Sequence, residues 1–225
     1  MYIEKLIGID AKILNSNTDG VFFMLPKSKL DDLNQITEWW QNLTHLQLEA
    51  DYFERFYQYA INDYIGVKKG WSESHDPKLI KTKGLFIQEP ILGKGLAPLI
   101  IPEALNKYFV EGISPEDTIR SCNDIKKFCT FQKVAKEFTV FYGGEKVAHI
   151  NRYYMSTNGK MLVKQKVING EKIGSPVALC AASPVTIYNK FDEIPINKRC
   201  INYQYYVQEA YKIIEKMDKK QLSLW

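Results

Sequence analysis

The sequence predicts an α+β protein built from antiparallel sheets with packed helices, and three patterns predict it. Two short β-type runs, residues 11–14 and 21–25, flank a polar stretch that ends in Gly20, the pattern of a hairpin. Leu30, Leu33, Ile36, Trp39, Trp40 and Leu43 then recur at helical spacing. Between residues 137 and 190 short apolar runs alternate with the turn signals Gly143-Gly144, Thr157-Asn158-Gly159 and Asn169-Gly170.

Composition sets the bounds. A chain of 225 residues can bury a core of its own, as one large or two small domains. Hydrophobic content of 45% and charged content of 25% are those of an ordinary globular protein. The net charge of +4 permits a nucleic-acid partner without requiring one. Cys122, Cys129, Cys180 and Cys200 form no C-x-x-C pair, and His45, His75 and His149 complete no zinc pattern. Reduced thiols in a cytoplasmic protein are expected. The first five residues lack a signal-peptide core, and no apolar run approaches transmembrane length, so no membrane partner is expected.

Taken in order, the first segment opens on the hairpin. Asn, Asp and Gly in residues 15–20 tolerate the turn, which leaves Asp19 at the tip. A carboxylate there either bonds its own backbone or holds a divalent metal through hard oxygen ligands. Pro26 and Ser28 are placed to open the helix that follows, and its paired tryptophans are expected to pack on a sheet. Residues 46–65, rich in Tyr, Phe and Leu, predict one or two strands returning beside the hairpin. Residues 66–84 read as a loop or hairpin with Lys68, Lys69, Lys78, Lys81 and Lys83 along it, either a solvated turn or a phosphate contact.

A helical module is expected next. Pro102 is expected at the first helical position and Gly112 at that helix's end. Ser114 caps a second helix with Asp117 in the capping-box position. A third helix is expected from Asp124 to Phe131. In the β region that follows, residues 144–172 carry six Lys/Arg (Lys146, Arg152, Lys160, Lys164, Lys166, Lys172) against Glu145 and Glu171. That excess equals the net charge of the whole chain. Basic residues interleaved with Tyr fit either a nucleic-acid surface or a solvated hairpin. A last helix, residues 201–217, has an apolar face of Tyr205, Tyr206, Ala210, Ile213, Ile214 and Met217. A charged linker, residues 218–220, then leads to Gln221-Leu222-Ser223-Leu224-Trp225, a tail suited to docking in a partner's apolar groove.

In this order the pieces resemble the C-terminal part of a family B DNA polymerase of the kind found in bacterial viruses. Asn17-Thr18-Asp19-Gly20 is similar to the third palm motif of that family, in which the second acidic position is catalytic. Asn62-Asp63-Tyr64-Ile65 followed by Lys81-Thr82-Lys83-Gly84 is similar to the stretch leading from palm to thumb. Residues 101–119, Ile150-Asn151-Arg152-Tyr153-Tyr154-Met155-Ser156 and Ile201-Asn202-Tyr203-Gln204-Tyr205-Tyr206 resemble pieces of the viral thumb. The tail looks like a bacterial sliding-clamp peptide with Trp225 in the place of the usual Phe.

The resemblance implies a division into palm (1–84), thumb (85–217) and clamp-binding peptide (218–225). The fold it implies is an antiparallel palm-type sheet with a packed helix, followed by a helical and β-hairpin thumb. It implies Asp19 as catalytic residue and Mg²⁺ ligand, and Lys83 as the lysine at the primer terminus. Thr18, Tyr64, Lys81, Arg152, Tyr153, Lys160 and Lys164 become the other DNA-binding residues. Gln221, Leu222, Leu224 and Trp225 become the clamp contacts. The partners implied are primer-template DNA, dNTP and a sliding clamp, in the cytoplasm of an infected bacterial cell.

Polymerisation in this family uses two Mg²⁺ ions held by two palm carboxylates. Asp19 supplies one, and Asn17 stands at the other acidic position of its motif. The sequence has no D-x-x-S-L-Y-P motif, no K-x-x-x-N-S-x-Y-G helix and no proofreading exonuclease set. Met1 lies close to the hairpin, which predicts a separate gene product. The expectation is therefore a split polymerase, inactive without a partner chain that brings exonuclease, fingers and the rest of the palm. The alternative is a non-catalytic DNA- and clamp-binding module.

Overall fold

The computed structural model describes residues 1–17, 20–88, 97–180, 184–190 and 194–222. The backbone divides into two compact units, Met1–Thr82 and Lys83–Trp225. It is a mixed α+β fold in which the strand pairs are antiparallel.

The first unit begins with helix α1, Tyr2–Ile7, and the expected hairpin of β1, Lys12–Ser16, and β2, Val21–Met24. Asn17 closes it from both ends: its N–H donates to the Gly20 carbonyl at 3.0 Å, and its Oδ1 accepts the Gly20 N–H at 3.0 Å. Strands β3, Phe53–Ala60, β4, Asp63–Lys68, and β5, Ile80–Lys83, form a second sheet with β4 in the centre, and the short helix α3, Trp71–Ser74, lies between β4 and β5 along the chain. The hairpin lies against this sheet, as expected, but shares no ladder with it. Side chains make the link instead. Phe22 on β2 stacks on Phe56 at 4.9 Å between ring centroids and meets Tyr64 at 5.3 Å. Such ring pairs contribute about 0.5–1.5 kcal/mol each beyond the area they bury.

Helix α2, Leu30–Thr44, follows a 3-10 turn at Lys27–Lys29, and neither Pro26 nor Ser28 caps it. Asp31 and Asp32 in its first turn complement the helix dipole. The tryptophans pack on α1, not on a sheet: Trp40 lies 5.6 Å from Tyr2, and the Lys5 ammonium sits 5.3 Å over Trp39. The reason is the unforeseen helix α1, which takes the apolar side of α2. No residue of α2 is fully buried.

In the second unit α4, Ile100–Glu111, α5, Pro115–Ser121, and α7, Tyr203–Leu222, pack against one another. Pro102 is the third helical residue rather than the first; the N–H groups of the first turn have no intrahelical partner, so proline is accepted there. Gly112 ends α4 at φ +75°. Ser114 Oγ accepts the Asp117 N–H at 3.0 Å, the expected N-cap, and the Asp117 carboxylate takes the serine hydroxyl at 2.6 Å rather than the backbone N–H of a capping box. The third helix, α6, is only Ile125–Phe128, capped by Asp124, and the chain leaves it for strand β6, Thr130–Lys133. The core face of α7 is Tyr206, Val207, Ala210, Ile214 and Met217, at helical spacing. Its backbone continues through residues 218–222, so the expected charged linker is helix.

Two antiparallel sheets complete this unit. One has the order β11-β10-β7-β8, from β7, Phe138–Tyr142, β8, Glu145–Val147, β10, Leu162–Ile168, and β11, Glu171–Ala178. Gly143 and Gly144 join β7 to β8 at positive φ, and Asn169-Gly170 joins β10 to β11 likewise, as the turn signals predict. The other sheet is β12-β9-β6, with β9, Ile150–Lys160, between β6 and β12, Val185–Ile187. Here the sequence misleads: β9 runs straight through the expected turn at Thr157-Asn158-Gly159. The Thr157 N–H donates to the Cys200 carbonyl at 2.8 Å, and the Ser156 hydroxyl donates to it as well. The backbone is thus tied outward where a reversal would need it.

Among the described residues no helix is long and apolar enough to cross a membrane.

Candidate nucleic-acid interface

Thr18 and Asp19, the tip of the palm-like motif, lie outside the described residues, as do Leu224 and Trp225 of the clamp-like tail. Gln221 and Leu222 are the last residues of α7. Among the described residues no three His, Cys, Asp or Glu side chains converge on a metal-sized site. What is described around the motif is its support. Asn15, 6% exposed on β1, donates through Nδ2 to the Ile61 carbonyl at 2.9 Å. With the Phe22–Tyr64 contact, this bond brings the motif hairpin against Asn62-Asp63-Tyr64-Ile65, more than forty residues further along the chain.

Tyr64 itself is a correction. It is 4% exposed and held between Phe22 and Phe56, so its ring belongs to the core and is not presented to a DNA strand. Lys81 is exposed on β5, but its ammonium pairs with Asp51 at 3.1 Å. Lys68 takes the other carboxylate oxygen at 2.7 Å. The two ammonium groups, Lys68 first, hold the Asp51 carboxyl below its ordinary range. Lys83 ends β5 two residues after Lys81 and is half-exposed.

In the second unit Tyr153 is also a core residue, 2% exposed, with its hydroxyl on Gln132 Oε1 at 2.9 Å. Burial pushes its phenol up to about 12. Arg152, the next residue back on β9, is half-exposed, with its N–H on Asn189 Oδ1 at 2.8 Å. Lys160 is exposed and Lys164 half-exposed. Lys160 sits 5.8 Å over Tyr142 and Lys164 4.7 Å over Phe138. Those rings alternate with Phe141 along β7, so they share one face. Lys172 sits 4.5 Å over Phe141, on the opposite face. Ring faces attract and order ammonium groups while leaving their N–H donors free for an anion.

Two features escaped the sequence reading. Asp51 neutralises part of the lysine cluster of the first unit, a pairing between residues 51, 68 and 81 that no local pattern announces. Lys166 and Lys172 counted only toward a charge total, although register puts them on the exposed edge hairpin β10–β11, whose strand β11 is exposed at all eight positions. Burial raises the Cys129 thiol to about 12 and also raises Cys122 and Cys180, which disfavours the reactive thiolate at those three positions.

No protein-family model matches the chain, and no curated protein matches it significantly.

Proposed function

We propose that this chain is the C-terminal palm and thumb part of a family B-type DNA polymerase, completed by a second chain. The observation that carries the reading is the contact between two motif-bearing stretches. The Asn17-Thr18-Asp19-Gly20 hairpin is fastened by Asn15 and Phe22 to the Ile61–Tyr64 region, as a palm needs if metal-binding and primer-handling groups are to act together. Lys81 and Lys83 extend from the same sheet on one strand. The lysine-rich β sheet supplies a surface for duplex phosphates.

In this reading Asp19 and one carboxylate of the partner chain would hold two Mg²⁺ ions, which would supply charge stabilisation for phosphoryl transfer. Lys83 contacts the primer terminus. Template, primer and dNTP are held jointly by the two chains, and Gln221, Leu222, Leu224 and Trp225 dock in a sliding clamp.

The test is primer extension with Mg²⁺ and dNTPs, using this chain alone and mixed with a polypeptide carrying D-x-x-S-L-Y-P and K-x-x-x-N-S-x-Y-G palm motifs. Extension is expected only in the mixture, and Asp19→Ala is expected to remove it. Full extension by the Asp19→Ala mixture sinks the catalytic assignment. Binding of DNA and clamp, with no extension in any mixture, selects the non-catalytic binding module.

A further inference from the structure

We infer that the edge hairpin β10–β11 seats in the major groove of duplex DNA, with phosphates on either side contacted by lysines on its opposite faces. The inference rests on the nucleic-acid reading above and adds the element, the groove and the residues. Register sets the faces. Lys164 stands opposite Val140, and Lys166 opposite Phe138 and Ile173, so both share the face that carries Tyr142 and Lys160. Lys172 stands opposite Val167, and Lys146 opposite Phe141, on the other face. The hairpin itself therefore carries Lys164 and Lys166 on one face and Lys172 on the other, while Lys146 lies on β8 at the far edge of the sheet. A cationic surface made for a flat anionic sheet, such as a lipid headgroup layer, would carry its charge on one side only.

None of these five lysines is in an ion pair among the described residues, whereas Lys68 and Lys81 of the first unit share Asp51. Only Glu145 and Glu171 oppose them within residues 144–172. The outer edge is also unsuited to adding a protein strand. Pro176 lacks an N–H, Gly174 lies at φ +70°, and the pairing with β10 is broken by a bulge between Lys164 and Lys166. Edges broken in this way resist strand addition, which leaves side-chain contact as the means of binding. A two-stranded ribbon fits the roughly 12 Å wide major groove of B-form DNA and not its roughly 6 Å minor groove. The deep, narrow major groove of A-form RNA does not admit it. Lysines are point charges, and Gln165, the amide on β10, is spent on the Gly174 carbonyl. The contact is therefore blind to base sequence.

The experiment measures binding of the full chain to a fluorescein-labelled 20-base-pair DNA duplex across a salt series, with Lys166→Gln/Lys172→Gln as the variant. Both side chains are exposed, and unchanged thermal melting verifies that the variant folds. The variant is expected to bind about tenfold more weakly at low salt, with the log–log salt slope reduced by about two. An equal slope and affinity overturns the hairpin assignment while leaving the polymerase reading intact. Equal affinity of the wild type for a 20-base-pair RNA duplex, or for single-stranded DNA, overturns the groove. Loss of duplex binding in the variant, together with failure of the primer-extension test, leaves the hairpin standing and removes the polymerase.

Discussion

The hydroxyl of Tyr206 donates to the carbonyl oxygen of Phe128 at 2.7 Å while the two rings meet edge to face at 5.2 Å. The same hydroxyl accepts the backbone N–H of Met155 at 2.9 Å. Tyr206 has no exposed surface, and its burial raises the phenol well above its usual range, so the proton stays in place as the donor. One atom thus ties the last helix to the end of α6 and the middle of β9. Tyr206→Phe keeps the ring and strands a buried N–H and a buried carbonyl. Each such orphan costs about 1–3 kcal/mol. Urea unfolding is expected to show a loss of that size or twice it, and an unchanged midpoint would refute the role of the hydroxyl.

Asn106 plays a similar part at the start of the second unit. Its Nδ2 donates to the Pro102 carbonyl at 2.7 Å and to the Phe86 carbonyl at 2.9 Å, and the residue is 4% exposed. The bonds fix the chain at Phe86 to the first turns of α4. Asn106→Ala removes both donors and opens a small void, at a cost of about 1–3 kcal/mol. Asn106→Asp should be worse than Ala at neutral pH, because it sets a carboxylate against two carbonyl oxygens. Thermal melting of the pair checks the order, and Asp more stable than Ala would overturn it.

Asp51 predicts a pH dependence. Its folded-state pKa lies below the ordinary 3.8 because Lys68 and Lys81 hydrogen-bond the carboxylate. A lowered folded pKa means stability present above the unfolded value and lost as pH falls through the folded one. The three side chains are 32–44% exposed, so the contribution is at the surface scale of about 0–1 kcal/mol. The melting temperatures of wild type and Asp51→Asn should differ at pH 6 and converge at pH 2.5, and also in 1 M salt at pH 6 through screening. A gap that persists at pH 2.5 would assign the effect to something other than the ion pairs. Asp51→Asn also releases Lys81, so duplex DNA binding should strengthen severalfold if Lys81 meets phosphate.

How far the sequence could be read follows from where its information is local. Asn17 and Gly20, Ser114 and Asp117, Gly143-Gly144 and Asn169-Gly170 each act within a few residues, and each does what its type predicts. The face of α7 is legible because 3.6-residue periodicity is a property of the helix itself. Tyr64 and Tyr153 were misassigned because a tyrosine beside basic residues looks alike whether its ring faces solvent or core; only packing with Phe22 or bonding to Gln132 decides. The Asp51 pairing and the opposed faces of the β10–β11 lysines depend on strand register, which joins residues far apart in the chain. The palm-like tip at Thr18 and Asp19 was legible only through resemblance, and its geometry lies outside the described residues.

Gly159 turns the misread turn into a test. Asn158-Gly159 has the composition of a hairpin loop, yet it lies within β9, and a Cβ on Gly159 would collide with the backbone carbonyl, carbonyl carbon and nitrogen of Val185. That backbone is held in place, since the Val185 carbonyl also accepts the Tyr142 hydroxyl at 2.9 Å. The glycine is therefore needed for close approach of two backbones and not for a reversal. Gly159→Ala must push β12 away from β9, with a cost on the overpacking scale of about 1–3 kcal/mol. Asn158→Ala, one residue earlier, removes only an exposed side chain that meets the Ser156 hydroxyl at 3.0 Å, and should cost less. Were the segment a turn, the order would change, because Asn at positive φ would matter as much as Gly. Urea midpoints of the two variants distinguish the cases: a larger loss for Gly159→Ala is expected, and equal losses would restore the turn.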